Sequence, residues 1–148
     1  MFNRVLSAGA ALLSAAVFIQ AASLNVAISQ PTLRLIPGGV PAAGYFNITN
    51  YAGDPAVLTG AQSFDCAQIT IHKSDTSGGI ARMDAVTSLS IARGQRIAFA
   101  PGGYHLMCEH PSPRLRVGGT TKITLSFAGG AHSDITFYVV NARGGGGQ

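Results

Sequence analysis

The sequence has no tryptophan, only two cysteines and only six acidic residues, and 11% of its 148 residues are charged. So few carboxylates leave little for acid–base chemistry. No nucleophile elbow, convincing carboxylate pair or phosphate-binding loop is present either, so an enzyme is not expected. Ten Lys and Arg give a formal charge of +4. They are scattered singly or in loose pairs, without the clustered stripe and interleaved aromatics of a nucleic-acid binder, and no nucleic-acid partner is expected. Helical periodicity of useful length is also missing after the first thirty or so residues.

What is present in quantity is apolar residues and turn formers. A hydrophobic share of 47% excludes intrinsic disorder, and nineteen glycines with seven prolines point to many turns between short strands. The length suits one domain.

Arg4 is the only charge before Arg34, and an apolar run with small residues at Ala21-Ala22-Ser23 follows it. This pattern reads as a signal peptide over residues 1–23, with cleavage after Ser23 or, alternatively, Ser29. An uncleaved anchor is the competing reading, since the run is long enough to span a bilayer. After cleavage no stable membrane insertion is expected. No cysteine stands at the end of the run, so lipid attachment there is not expected. Either reading places residues 30–142, the expected domain, outside the cytoplasm, and residues 143–148 form a flexible Gly-rich tail.

Period-two alternation dominates the domain. Ile123, Leu125 and Phe127 share a face, as do Ile135, Phe137 and Val139, and Ala128-Gly129-Gly130-Ala131 between them is a hairpin signal. Ile69 and Ile71 point inward from a strand ending at His72. Weaker strands are expected at 32–36, 43–50, 57–63, 88–92 and 95–100. Together they argue an all-β fold, an antiparallel sandwich or barrel.

Two of the four histidines and both internal methionines fall into one pattern, H-x10-M-x21-H-x-M: His72, Met83, His105 and Met107. His72 has the parity that points away from Ile69 and Ile71, and His105 and Met107 share a side of one strand. Met83 follows the Gly78-Gly79 loop, from which a side chain can reach a neighbouring strand. Thioethers are soft, neutral donors that favour Cu(I), and imidazole suits copper as well. Thioethers need no deprotonation, so such a set holds copper in mild acid. Zn(II) would prefer Cys, His or carboxylate, and a blue-copper centre needs a Cys ligand that this set lacks. Taken singly, a methionine is most often core filler and a surface histidine inert, and His110 and His132 stay in that class.

With every position and spacing of that motif matched, the sequence resembles the PCu(A)C family of periplasmic copper chaperones. The resemblance extends to 43–50, Ile71-His72-Lys73, 79–83 and 101–107, and covers roughly 33–140. It implies a cupredoxin-like Greek-key sandwich and one Cu(I) per chain, held by His72, Met83, His105 and Met107. It also implies periplasmic delivery of copper to the Cu(A) site of cytochrome c oxidase subunit II, often beside a Sco-type protein. A monomer is expected. Two other functions fit: periplasmic copper buffering or tolerance, and a metal-free β-sandwich interaction module.

Cys66 and Cys108 depart from the family pattern, which has small or aliphatic residues there. Simple parity places them on opposite faces and disfavours a disulfide unless a bulge intervenes. Buried free thiols and a role in copper handling are the other readings.

Overall fold

The computed structural model describes residues 24–146. The expected signal segment lies outside the described residues. Among these, no helix is long and apolar enough to cross a membrane. Ten strands follow one another: β1 (Val26–Arg34), β2 (Ala42–Asn50), β3 (Ala56–Gln62), β4 (Cys66–Asp75), β5 (Arg82–Ala85), β6 (Leu89–Ile91), β7 (Arg96–Phe99), β8 (Tyr104–Pro111), β9 (Thr120–Phe127) and β10 (His132–Val140). A short 3-10 turn, Ser77–Gly79, separates β4 from β5.

The strands run β5-β4-β8-β7-β2-β1-β10-β9-β3-β6, and further pairings join β4 to β3 and β8 to β2. The β3–β4 contact, at Ala61 and Ile69, closes the sheet on itself. Closure leaves few free edges, which protects an all-β protein against strand addition. The expectation of a purely antiparallel sheet needs correction. β1 lies parallel to β10 and β7 touches β8 in parallel at Phe99 and Tyr104. Period-two patterning sets which face is buried but not strand direction, so alternation alone could not distinguish the two.

The inward faces follow the alternation. Ile69 and Ile71 are buried, as are Ile123, Leu125 and Phe127. Phe46 stacks on Phe99 at 4.2 Å between centroids and meets Phe137 edge-on at 5.7 Å. Leu106 is fully buried, and a Cβ on Gly44 beside it would lie 3.1 Å from the Leu106 Cβ, close enough that the neighbour would have to give by a few tenths of an ångström.

Both ends of the domain hold more structure than composition suggested. β1 starts at Val26, and Val26–Ser29 already pair with Ser29's partner Asn47 through Asn50 on β2. Gly144 and Gly145 lie in a turn hydrogen-bonded to Asn141, and residues 147–148 fall outside the described part.

Cys66 and Cys108 form a disulfide with Cα atoms 5.3 Å apart, against the parity reading. The alternation breaks at the end of the β4–β8 ladder. Cys66 pairs with Pro111 and Gln68 with Glu109, but no pairing joins Ala67 to His110, whose φ is +46°. A left-handed residue turns the ladder locally. Cys66 and Ile69, three residues apart, are both buried, and Cys66 meets Cys108 in the core.

Candidate metal centre

β4 and β8 carry three of the four motif residues. His72 lies directly opposite His105, and Thr70 opposite Met107. The two imidazoles meet edge to face, 5.7 Å between centroids and 84° between planes. Both point away from the core because Ile71 and Leu106, their neighbours in sequence, fill it.

Met83 follows the Gly78-Gly79 turn, as expected, and arrives on a short strand. β5 pairs with the C-terminal half of β4, Met83 opposite Ser74 and Ala85 opposite His72. Met83 is therefore the diagonal neighbour of His72 on the same face. The Met83 sulfur lies 3.1 Å from His72 Nδ1. Donors at about 2.0 Å (nitrogen) and 2.3 Å (sulfur) from one tetrahedral cation would stand about 3.5 Å apart, so this pair is already close to shared coordination. All four residues of β5 are exposed, so no apolar alternation marked it in the sequence.

The turn into β5 is fixed by Asp75. One carboxylate oxygen accepts the Ser77 backbone N–H at 2.7 Å and the other accepts the Ser77 hydroxyl at 2.9 Å. The Ser77 N–H first, then its hydroxyl, hold the Asp75 carboxyl below its ordinary 3.8.

The histidines differ in environment. His105 is 7% exposed and its Nδ1 lies 3.2 Å from the Gly103 carbonyl. A carbonyl only accepts, so the contact puts the proton on Nδ1 and leaves Nε2 as the lone-pair donor. Such a partner fixes tautomer and ring orientation in metal sites. The same carbonyl accepts the Ser74 N–H, tying the turn before β8 to β4. His72 is half-buried and Met83 is 53% exposed.

Met83, His105 and Met107 line one open cleft of about 350 Å³, with Ile36, Val40 and Tyr45 among the other walls. Asp, Glu, Lys and Arg are absent from its lining. Among the described residues no group of three or more His, Cys, Asp or Glu converges. The cleft lining itself offers one imidazole and two thioethers, and His72, opposite His105 and 3.1 Å from the Met83 sulfur, adds a second imidazole beside it. That set fits a soft monovalent ion better than Zn(II) or a hard cation. His110 and His132 are exposed and lie outside the cleft. Sequence reasoning missed the Gly103 carbonyl and the apolar walls from the β1–β2 loop, which no motif marks.

Three comparisons bear on this arrangement. A Leifsonia xyli subsp. xyli protein described as "Putative lipoprotein Lxx21020" is 27% identical over 121 residues, 81% of this chain and 72% of that protein. The copper-bound PCuAC domain from PmoF2 superposes with a TM-score of 0.67 at 24% identity, covering 80% of this chain and 96% of that one. The Cu(I)-bound solution structure of DR1885 from Deinococcus radiodurans gives 0.64 at 28% identity, covering 84% and 83%. The resemblance to PCu(A)C proteins thus extends to the whole fold. Residues 26–139 match the family described as "Putative lipoprotein LpqE-like", and the chain belongs to that family.

Proposed function

We propose that this chain is an exported carrier of Cu(I). It binds one ion through His72, Met83, His105 and Met107 and passes it to another protein in the periplasm. The observation that carries this reading is the meeting of three strands on one open face, with His72 Nδ1 and Met83 Sδ 3.1 Å apart and His105 opposite His72. The copper-bound PmoF2 domain and Cu(I)-DR1885 support it as proteins of the same fold. Two neutral thioethers with two imidazoles hold Cu(I) without proton release from a thiol, and an exposed Met83 is placed to leave first when a partner's ligand arrives. Oxidation to Cu(II), which prefers nitrogen and oxygen, weakens the grip.

Export is supported by the leader-like first residues and by the Cys66–Cys108 disulfide, since such bonds persist in oxidising compartments. The relatives are described as lipoproteins, but residues 1–65 contain no cysteine, and both cysteines of the chain are in the disulfide. The recipient in this reading is the Cu(A) site of cytochrome c oxidase subunit II, directly or through a Sco-type protein.

An anaerobic Cu(I) titration of the exported form against a chromophoric chelator, with Met107→Ala beside it, tests the reading. One tight equivalent, greatly weakened by the substitution, is the expected result. No competitive binding would overturn it and favour a metal-free interaction module. Copper buffering separates from oxidase assembly in a deletion strain: the proposed role predicts loss of oxidase copper, whereas buffering predicts copper sensitivity alone.

A further inference from the structure

The outer sheet face that presents the metal centre continues past it. Met107 on β8 pairs with Ala43 on β2, and Ala43 pairs with Arg34 on β1. Cross-strand partners share a face, so Arg34 stands on the Met107 side of the sheet, two strand spacings or about 10 Å away. A second open cleft, about 310 Å³, surrounds it, lined by Gln30, Thr32, Asn47 and Phe99 among others. Tyr45 and Pro101 line both clefts, so the two adjoin.

Across the linings of both clefts, Arg34 is the single Asp, Glu, Lys or Arg. It is half-buried, with its guanidinium carbon 5.1 Å from the centroid of the Tyr45 ring. Its Nε is buried without a hydrogen-bond partner. Among the described residues the ion pairs are Arg114–Asp65 and Lys122–Asp134, and no carboxylate pairs with Arg34. The buried Nε is out of an incoming partner's reach, but the terminal guanidinium nitrogens belong to the cleft lining, and such a fork matches a carboxylate in two parallel hydrogen bonds. Stacking on Tyr45 holds the fork in place before any acceptor comes.

We infer that Arg34 is the docking anchor for a carboxylate side chain on the protein that exchanges copper with this chain. Charge complementarity commits the face to an acidic partner. Such a partner lays an Asp or Glu on Arg34 while its own metal ligands reach Met107, about 10 Å away, and Met83 beyond it. The walls between the two points, Tyr45, Ala43 and Pro101, are uncharged, so nothing there repels it. The inference rests on the copper-carrier reading for its purpose but not for its chemistry.

The test uses the full chain and two synthetic peptides sharing one Met-x-x-Met copper site, flanked by three Glu or by three Gln. Thioether peptides leave the disulfide intact. At low salt the Glu peptide should take Cu(I) from the native protein about three- to tenfold faster than the Gln peptide. Arg34→Gln should erase that preference with Cu(I) affinity unchanged, and Arg34→Lys should keep part of it. The same preference in Arg34→Gln, or none in the native chain, overturns the anchor. A second measurement needs neither copper nor a variant. The Arg34 Nε–H resonance of the copper-free native chain should shift saturably with the Glu peptide and stay still with the Gln peptide. A silent resonance in a chain that binds copper sinks the anchor alone. A shifting resonance in a chain that binds none keeps the anchor and sinks the copper reading.

Discussion

β8 and β5 both supply thioether donors to one face, yet they are built in opposite ways. β8 lies between neighbours, Leu106 and Cys108 are fully buried in its inner row, and the disulfide ties it to β4. β5 is four exposed residues at the rim of the sheet, paired only to the end of β4. His105 and Met107 thus stand on a platform, and Met83 on a flap. A carrier must hold its ion and still give it up. In the proposed carrier, three donors on rigid strands and one on a separable strand would divide those two demands within one site.

The largest effect should come from the platform's covalent tie. Replacing Cys66 and Cys108 together by Ala opens a link across a sequence separation of 42. Chain entropy puts that loss at about 4 kcal/mol, read as a lower urea midpoint with a steeper slope, because the denatured chain without its cross-link exposes more surface. A loss below about 1 kcal/mol would mean that packing alone secures β4 against β8.

Single ligands sharpen the contrast next. Both His105→Ala and Met83→Ala should weaken Cu(I) by more than about 100-fold, since losing even an outer partner of a metal ligand costs roughly 10–100-fold. Only His105→Ala should also destabilise the copper-free fold, by about 1–3 kcal/mol, because its ring is buried and bonded to Gly103. Met83→Ala should leave copper-free stability within about 0.5 kcal/mol. Equal destabilisation by the two would erase the distinction between platform and flap.

A smaller change strains the platform from behind. Gly44→Ala brings a Cβ to 3.1 Å from Leu106 Cβ, between β2 and β8. Overpacking there should cost about 1–2 kcal/mol in thermal or urea unfolding, with copper affinity falling alongside as β8 shifts.

The smallest effect concerns the flap's latch. A carboxyl held below its ordinary value stabilises the folded form fully above 3.8 and loses that contribution as pH falls through its lowered folded value. The Ser77 turn should therefore loosen only in strong acid, seen as faster amide exchange of Ser77 relative to core amides. Asp75→Ala should produce the same local opening at neutral pH and lower Cu(I) affinity a few-fold, with global unfolding unchanged. Unaltered exchange at Ser77 would show that β5 is held by its ladder with β4 alone.

Most strands were legible because their inner faces are apolar at period two: Ile69 with Ile71, and Ile123 with Leu125 and Phe127. β5 was not, because Arg82-Met83-Asp84-Ala85 buries nothing and so carries no pattern. The four motif residues were legible from residue type and spacing, and β4 and β8 bring three of them onto one face, His72 opposite His105 and Met107 opposite Thr70. The Gly103 carbonyl that orients His105 was invisible, because any residue offers a carbonyl and only the turn decides where it points.

The sequence by itself determined the all-β class, the buried rows and the soft, thiolate-free donor set, because hydrophobic periodicity and ligand chemistry belong to residues and near neighbours. Tertiary structure alone decided the parallel β1–β10 contact, the closure through β3 and β4, and the Cys66–Cys108 bond that parity argued against. It also decided that Arg34 stands without a carboxylate beside the metal cleft. Each of these depends on strands distant in the chain meeting in one register, which the pattern within a single segment does not encode.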